Sequence, residues 1–168
     1  NVNVYFSKFW FCIFLIRRVR LIMVKIAKME YTLYIMLAKP FIKWVGGKSQ
    51  LLEEISEKYP PKIEKYCEPF VGGGAVLFDI LSKYDLDEVY ISDINAELIN
   101  TYRIIRDDID ALIETLYTMQ SDFIPLDTEN RKVYYMQKRE RFNDLKVNGN
   151  ESVNIEKAAL MIFLNKTC

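Results

Sequence analysis

The stretch that decides the fold is Tyr66-Cys-Glu-Pro-Phe-Val-Gly-Gly-Gly74. Residues Lys65 to Val71 are predicted to form a short buried strand, the three glycines predict a tight turn, and Ala75 to Tyr84 is predicted to be a helix. Glycines at such a turn let the backbone approach a ligand closely, and the helix N-terminus adds partial positive charge. A tight turn that binds nothing is the structural alternative.

A second strand is predicted from Glu88 to Ser92, followed by a helix from Asn95 to Arg106. Strand, glycine turn, helix and strand form a βαβ unit, so we expect parallel strands in an α/β domain. Asp93 lies about 20 residues beyond Gly72, where a carboxylate accepts hydrogen bonds from a ribose diol. Asp93 is also placed to cap the following helix, a role that can hold together with the first, and Asn95 is the competing cap.

The segment around Lys43-Trp-Val-Gly-Gly-Lys48-Ser49 is the next candidate for ligand contact. A phosphate-binding P-loop needs a glycine at position 42, which is Ile42, so that motif is excluded. The indole of Trp44 is suited to cover one face of an adenine ring, and Lys48 at a helix start is suited to reach a carboxylate. A core tryptophan and a solvated lysine are the alternatives.

Composition limits the classes of chemistry that remain. The chain has 168 residues, no histidine, and 23 basic against 23 acidic residues. Imidazole catalysis and histidine-ligated metals are therefore excluded, and any DNA binding must come from local basic patches. Cys12, Cys67 and Cys168 have neither zinc spacing nor a disulfide pattern. We expect no metal site and a cytoplasmic location.

Residues 1–35 differ from the rest of the chain. The apolar run Phe9 to Ile16 is far shorter than the roughly 20 residues that a membrane span needs, and Arg17 and Arg18 follow it rather than precede it. We therefore expect no membrane role. Met36 is a suitable start, so residues 1–35 are expected to be upstream-translated sequence or a disordered extension.

The pattern after Asp107 is helical throughout. A charged helix is predicted from Asn130 to Leu145 and an apolar helix from Ser152 to Leu164, separated by a turn at Gly149. Basic residues alternate with aromatic ones in the charged helix, an arrangement that suits phosphate contact with apolar anchoring. A solvated amphipathic helix is the alternative.

Several pieces of this sequence, in their order and spacing, resemble the Dam-like family of S-adenosylmethionine-dependent DNA adenine-N6 methyltransferases. The resemblance covers residues 39–168. Its specific pieces are Phe41-Ile-Lys-Trp-Val-Gly-Gly-Lys48, Cys67-Glu-Pro-Phe-Val-Gly-Gly-Gly74 and Ser92-Asp-Ile-Asn95. Tyr134-Tyr135 with Arg139-Glu-Arg-Phe-Asn143, and Ala158-Ala-Leu-Met-Ile-Phe-Leu-Asn-Lys-Thr-Cys168, support it.

The resemblance implies a fold and a set of binding residues. The expected fold is α/β, an incomplete Rossmann-like class I methyltransferase sheet with an inserted helical DNA-recognition subdomain. Residues 36–106 would bind S-adenosylmethionine, and residues 107–168 would be a truncated DNA-recognition part. The implied cofactor contacts are Trp44, Lys48, Glu68, Pro69, Phe70, Gly72, Asp93 and Asn95. Family members touch DNA at the positions of Lys43, Arg139 and Lys166.

The resemblance also implies an activity, methyl transfer from S-adenosylmethionine to the exocyclic amine of adenine in double-stranded DNA, often for restriction–modification or strand marking. The family's Asp-Pro-Pro-Tyr motif accepts from the target amine and stacks on the flipped base, and it does not occur in this sequence. We therefore expect an N-terminal fragment without catalytic residues and without activity of its own. A non-catalytic module that binds S-adenosylmethionine or DNA is the alternative, and another α/β nucleotide-binding protein is a third.

Overall fold

The computed structural model describes residues 39–148 and 154–168. After a 3-10 helix at Lys48–Leu51, the elements are α1 (Leu52–Ser56), β1 (Lys65–Glu68), α2 (Ala75–Lys83), β2 (Glu88–Ile91), α3 (Ala96–Asp107), α4 (Ile109–Phe123), α5 (Thr128–Val147) and α6 (Ile155–Thr167). The expectations for residues 1–35, for the turn at Gly149 and for a helix start at Ser152 fall outside the described residues.

The sheet of the described part of the chain consists of β1 and β2, which pair in parallel, with Lys65 opposite Glu88. This arrangement confirms the predicted βαβ unit. β1 ends at Glu68, earlier than the expected Val71, because the Val71 N–H bonds the Ser92 carbonyl one residue out of the β1–β2 register. The expectation of a buried strand was wrong for β1, in which only Glu68 is buried.

Three of the helices begin at a side-chain cap. Asn95, Asp127 and Asn154 precede α3, α5 and α6, and each accepts a hydrogen bond from the backbone N–H three residues later. Such a cap satisfies one of the N–H groups that a helix start leaves without a partner in the helix. The N-cap of α3 is therefore Asn95 and not Asp93.

The core runs from the N-terminal motif to α6 without interruption. The buried Phe41 ring meets Tyr102 of α3 edge-on at 5.1 Å, and the fully buried Phe163 of α6 meets Phe123 of α4 and Tyr134 of α5 in the same way, at 5.3 and 5.7 Å. The described part is thus a mainly helical body with a small parallel sheet. The division at residue 107 into cofactor-binding and DNA-recognition parts stays a prediction.

Candidate functional site

The turn between β1 and α2 requires glycine. The backbone φ angles of Gly72 and Gly74 are 50° and 80°, in the region that other residues rarely adopt. The carbonyl of Gly72 accepts from the Tyr102 hydroxyl at 3.0 Å. A Cβ atom on Gly74 would lie 2.5 Å from that hydroxyl and 2.9 Å from the Phe78 ring. Tyr102 and Phe78 therefore leave no room for a side chain at Gly74.

Asp93 ties the end of β2 to this turn. One carboxylate oxygen accepts from the Gly72 N–H at 2.9 Å and the other from the Asn95 N–H at 3.0 Å. The side chain of Asn95 in turn accepts from the Leu98 N–H and caps α3. Of the two interpretations of Asp93, the helix cap is therefore wrong. Its carboxylate is half-buried beside the glycine turn and keeps further acceptor capacity.

Lys48 and Glu68 form the charged pair of the site. The Lys48 ammonium donates to Glu68 Oε1 at 2.8 Å and to the Phe70 carbonyl at 2.9 Å, while the Tyr66 hydroxyl donates to Glu68 Oε2 at 2.9 Å. Burial raises the pKa of Tyr66, and the bond to Glu68 raises it further, so the hydroxyl remains a donor. Glu68 thereby fixes the position of the Lys48 ammonium. Two of the three ammonium donors are used within the protein, and the third remains for a ligand.

Replacing Lys48 with methionine is expected to lower the free energy of unfolding by about 1–2 kcal/mol, because Glu68 would lose its charged donor. The Glu68 side chain is 7% exposed, whereas that of Lys48 is 40% exposed, which keeps the effect below that of a fully buried pair. Urea denaturation followed by circular dichroism measures the change. Adding Glu68→Gln should recover part of the loss, since no uncompensated charge would then be buried.

The matched control is Lys65→Met, which removes the exposed ion pair between Lys65 and Glu88 across the two strands. Exposed pairs contribute little, so the expected change is below about 1 kcal/mol. Equal losses for Lys48→Met and Lys65→Met would show that the Lys48 pair is an ordinary surface pair.

Trp44 lies directly against the glycine turn. The segment Trp44 to Gly47 is itself a turn, closed by a bond of 3.1 Å from the Gly47 N–H to the Trp44 carbonyl, with positive φ at Gly46. A Cβ atom on Gly72 would lie 3.0 Å from the indole Cδ1, and one on Gly73 would lie 3.2 Å from the Trp44 Cβ. The two glycine turns foreseen in the sequence therefore meet at this indole.

A cavity of about 780 Å³ lies where these elements converge. Five of the eight expected cofactor contacts line it, together with two of the three expected DNA contacts: Trp44, Lys48, Phe70, Gly72, Asp93, Lys43 and Lys166. Glu68, Pro69 and Asn95 do not line it. Glu68 and Asn95 instead bond residues that do, and the Pro69 carbonyl accepts from Ser92. Arg139 lies apart, exposed on α5 in a separate groove.

Two further residues shape this cavity and were not singled out in the sequence. Tyr102 supports the glycine turn, and burial, followed by the charges of Glu68 and Asp93, raises the pKa of its hydroxyl. Asn165 bonds the backbone of Lys43 through both atoms of its amide. Helical spacing from Leu98 marks Tyr102 as an inward residue, but no sequence signal distinguishes Asn165 from its neighbours.

Across residues 39–148 and 154–168, no cluster of three or more acidic or cysteine side chains is arranged to hold a metal ion. Within the same residues, every helix is too short or too polar to cross a membrane.

Comparison with known proteins gives one family. The model of the D12 class of N6 adenine-specific DNA methyltransferases matches residues 44–168. The type II methyltransferase M.MjaIII of Methanocaldococcus jannaschii is 47% identical over 135 residues, which cover 77% of this chain and 46% of that protein.

Two bacterial relatives agree with this match. The type II methyltransferase M1.LlaDCHI of Lactococcus lactis subsp. cremoris is 36% identical over 126 residues, covering 75% of this chain and 40% of its own length. The DNA adenine methylase of Escherichia coli K12 is 34% identical over 128 residues, covering 76% and 40%. The chain thus spans less than half the length of these curated relatives.

Proposed function

Because this chain belongs to the D12 class of N6 adenine-specific DNA methyltransferases, we propose that its cavity binds S-adenosylmethionine and that the protein methylates the exocyclic amine of adenine in double-stranded DNA. One observation carries the proposal: the glycine turn, Asp93 and Trp44 line the same cavity. Membership of this family excludes the interpretation as another α/β nucleotide-binding protein. The non-catalytic binding module remains as an outcome of the test.

The cavity fits this cofactor in size and in chemistry. Its volume of about 780 Å³ falls within the roughly 300–1,000 Å³ of small-molecule sites. We propose that Asp93 accepts from the ribose hydroxyls, that Lys48 pairs with the carboxylate of the methionine part, and that Trp44 and Phe70 contact the adenine. Phe70 is 73% exposed, so it offers an uncovered aromatic face for that contact.

The DNA would meet the lysines that line the cavity. Lys39, Lys43 and Lys166 line the cavity together with Lys48, and Lys48 already pairs with Glu68. Lysines at such a position neutralise phosphates and position a duplex without reading its sequence. We propose that Lys43 and Lys166 contact the DNA beside the cofactor and that Arg139 contacts it farther along α5.

When bound, S-adenosylmethionine would supply the methyl group: the carbon–sulfur bond would break, with its electron pair left on sulfur, as the carbon bonds to adenine N6, and N6 would lose one proton. The described residues bind and orient the reactants. We propose that these 168 residues do not transfer the methyl by themselves, because the Asp-Pro-Pro-Tyr motif that would accept from the adenine amine is absent from their sequence.

The proposal is tested by equilibrium dialysis of the chain with tritiated S-adenosylmethionine. Saturable binding is expected, and ATP should not compete, because the Asp93 site offers a carboxylate rather than a phosphate cradle to the ligand. Absence of binding would refute the cofactor assignment. The same samples, incubated with unmethylated duplex DNA, should transfer no label to adenine, and transfer above background would refute the claim that the chain is inactive alone.

A further inference from the structure

The side chain of Asn165 joins the two ends of the described chain at the cavity. The Lys43 N–H donates to Asn165 Oδ1 at 2.8 Å, and Asn165 Nδ2 donates to the Lys43 carbonyl at 2.8 Å. One amide thus satisfies both backbone groups of Lys43, as a neighbouring β-strand would. The two residues are separated by 122 positions in the sequence, so this contact is purely tertiary.

The contact between Asn165 and Lys43 lies next to residues that line the cavity. Lys166 follows Asn165 on α6, and Lys43 precedes Trp44, whose indole lies against the glycine turn. Lys43, Trp44 and Lys166 all line the cavity. A shift at Asn165 would therefore change two things together: the spacing between Lys43 and Lys166, and the position of the Trp44 indole on the glycine turn.

We propose that Asn165 is a positioning residue that holds Trp44 on the glycine turn and keeps Lys43 in register with Lys166. This inference rests on the proposed function insofar as the cavity binds S-adenosylmethionine and the lysines bind DNA. Asn165 does not touch either ligand in this assignment and acts through the backbone of Lys43.

The chain contains a matched control for this contact. At the other end of α6, Asn100 Nδ2 donates to the Asn154 carbonyl at 2.9 Å, and the Asn154 N–H donates to Asn100 Oδ1 at 2.8 Å. This second pair of amide bonds has the same form and is partly buried, and neither residue lines the cavity. Asn100→Ala therefore removes a contact of the same form, and a more buried one, between residues that do not line the cavity.

The first readout is the fluorescence of Trp44 in the ligand-free chain, with Trp10→Phe removing the other tryptophan. Asn165→Ala is expected to increase acrylamide quenching of Trp44, whereas Asn100→Ala should leave it unchanged, although both should lower the melting temperature. Asn165→Asp keeps the acceptor for the Lys43 N–H and loses the donor, so it should give an intermediate result. Equal quenching in both alanine variants would overturn the inference.

The second readout is the affinity for S-adenosylmethionine in the same variants. Asn165→Ala is expected to weaken binding by about 3- to 10-fold, the equivalent of one or two lost neutral hydrogen bonds, while Asn100→Ala should stay within about twofold of the parent. Unchanged affinity despite altered quenching would also overturn the inference. If the parent chain itself bound no S-adenosylmethionine, the proposed function would fail, and the quenching comparison alone would decide the position of Asn165.

Discussion

Replacing Gly74 with alanine is expected to lower the free energy of unfolding by about 2–5 kcal/mol, the sum of backbone strain and overpacking. The φ angle of Gly74 is 80°, and the added Cβ atom would lie 2.5 Å from the Tyr102 hydroxyl and 2.9 Å from the Phe78 ring. Helix α2 begins at the next residue, so the clash cannot be relieved by moving a loose end. Urea denaturation at neutral pH measures the loss.

Gly46→Ala separates the two causes. The φ angle of Gly46 is 73°, but no atom lies within 4 Å of its added Cβ, so only the strain of about 1–2 kcal/mol is expected. Combining Gly74→Ala with Tyr102→Phe should recover part of the loss, because the nearest clashing atom is then removed. Equal losses at Gly46 and Gly74 would mean that crowding by Tyr102 does not shape the turn.

Replacing Asp93 with alanine is expected to weaken S-adenosylmethionine binding by about 1.5–3 kcal/mol, the contribution of hydrogen bonds to a charged acceptor, or about 10- to 150-fold in the dissociation constant. Two effects act together. The proposed ribose acceptor disappears, and the Gly72 N–H loses the carboxylate that fixes the glycine turn. Isothermal titration calorimetry of the folded variant measures the affinity.

Asp127→Ala is the control for this change. Asp127 also accepts a backbone hydrogen bond through its carboxylate, from the Asn130 N–H at 2.9 Å, but it caps α5 and does not line the cavity. Its loss should cost about 0.5–2 kcal/mol of stability and leave the cofactor affinity unchanged. If Asp93→Ala also bound S-adenosylmethionine as the parent does, Asp93 would be a structural link between β2 and the turn and not a ligand.

Much of the cavity lining was predictable from residue types and spacing. A carboxylate that follows a second strand about 20 residues after a glycine turn lies at the carboxyl edge of parallel strands, where ligands bind, and Asp93 does line the cavity there. Trp44 and Lys48 also line the cavity, and the sequence singled them out because they accompany a second glycine turn. The predicted length of β1 was wrong, since the Val71 N–H bonds the Ser92 carbonyl one residue out of the β1–β2 register and the strand ends at Glu68.

The sequence by itself determined the helices and the parallel pairing of β1 with β2, because periodicity and glycine turns act over a few neighbouring positions. Only the tertiary structure decided which polar groups meet. Glu68 could have faced a ligand, yet it holds Lys48, and Asn165 bonds the backbone of Lys43 from 122 positions away. The Asn165 contact depends on how α6 packs against α3, α4 and α5, and that packing involves so many apolar side chains that no local pattern specifies it.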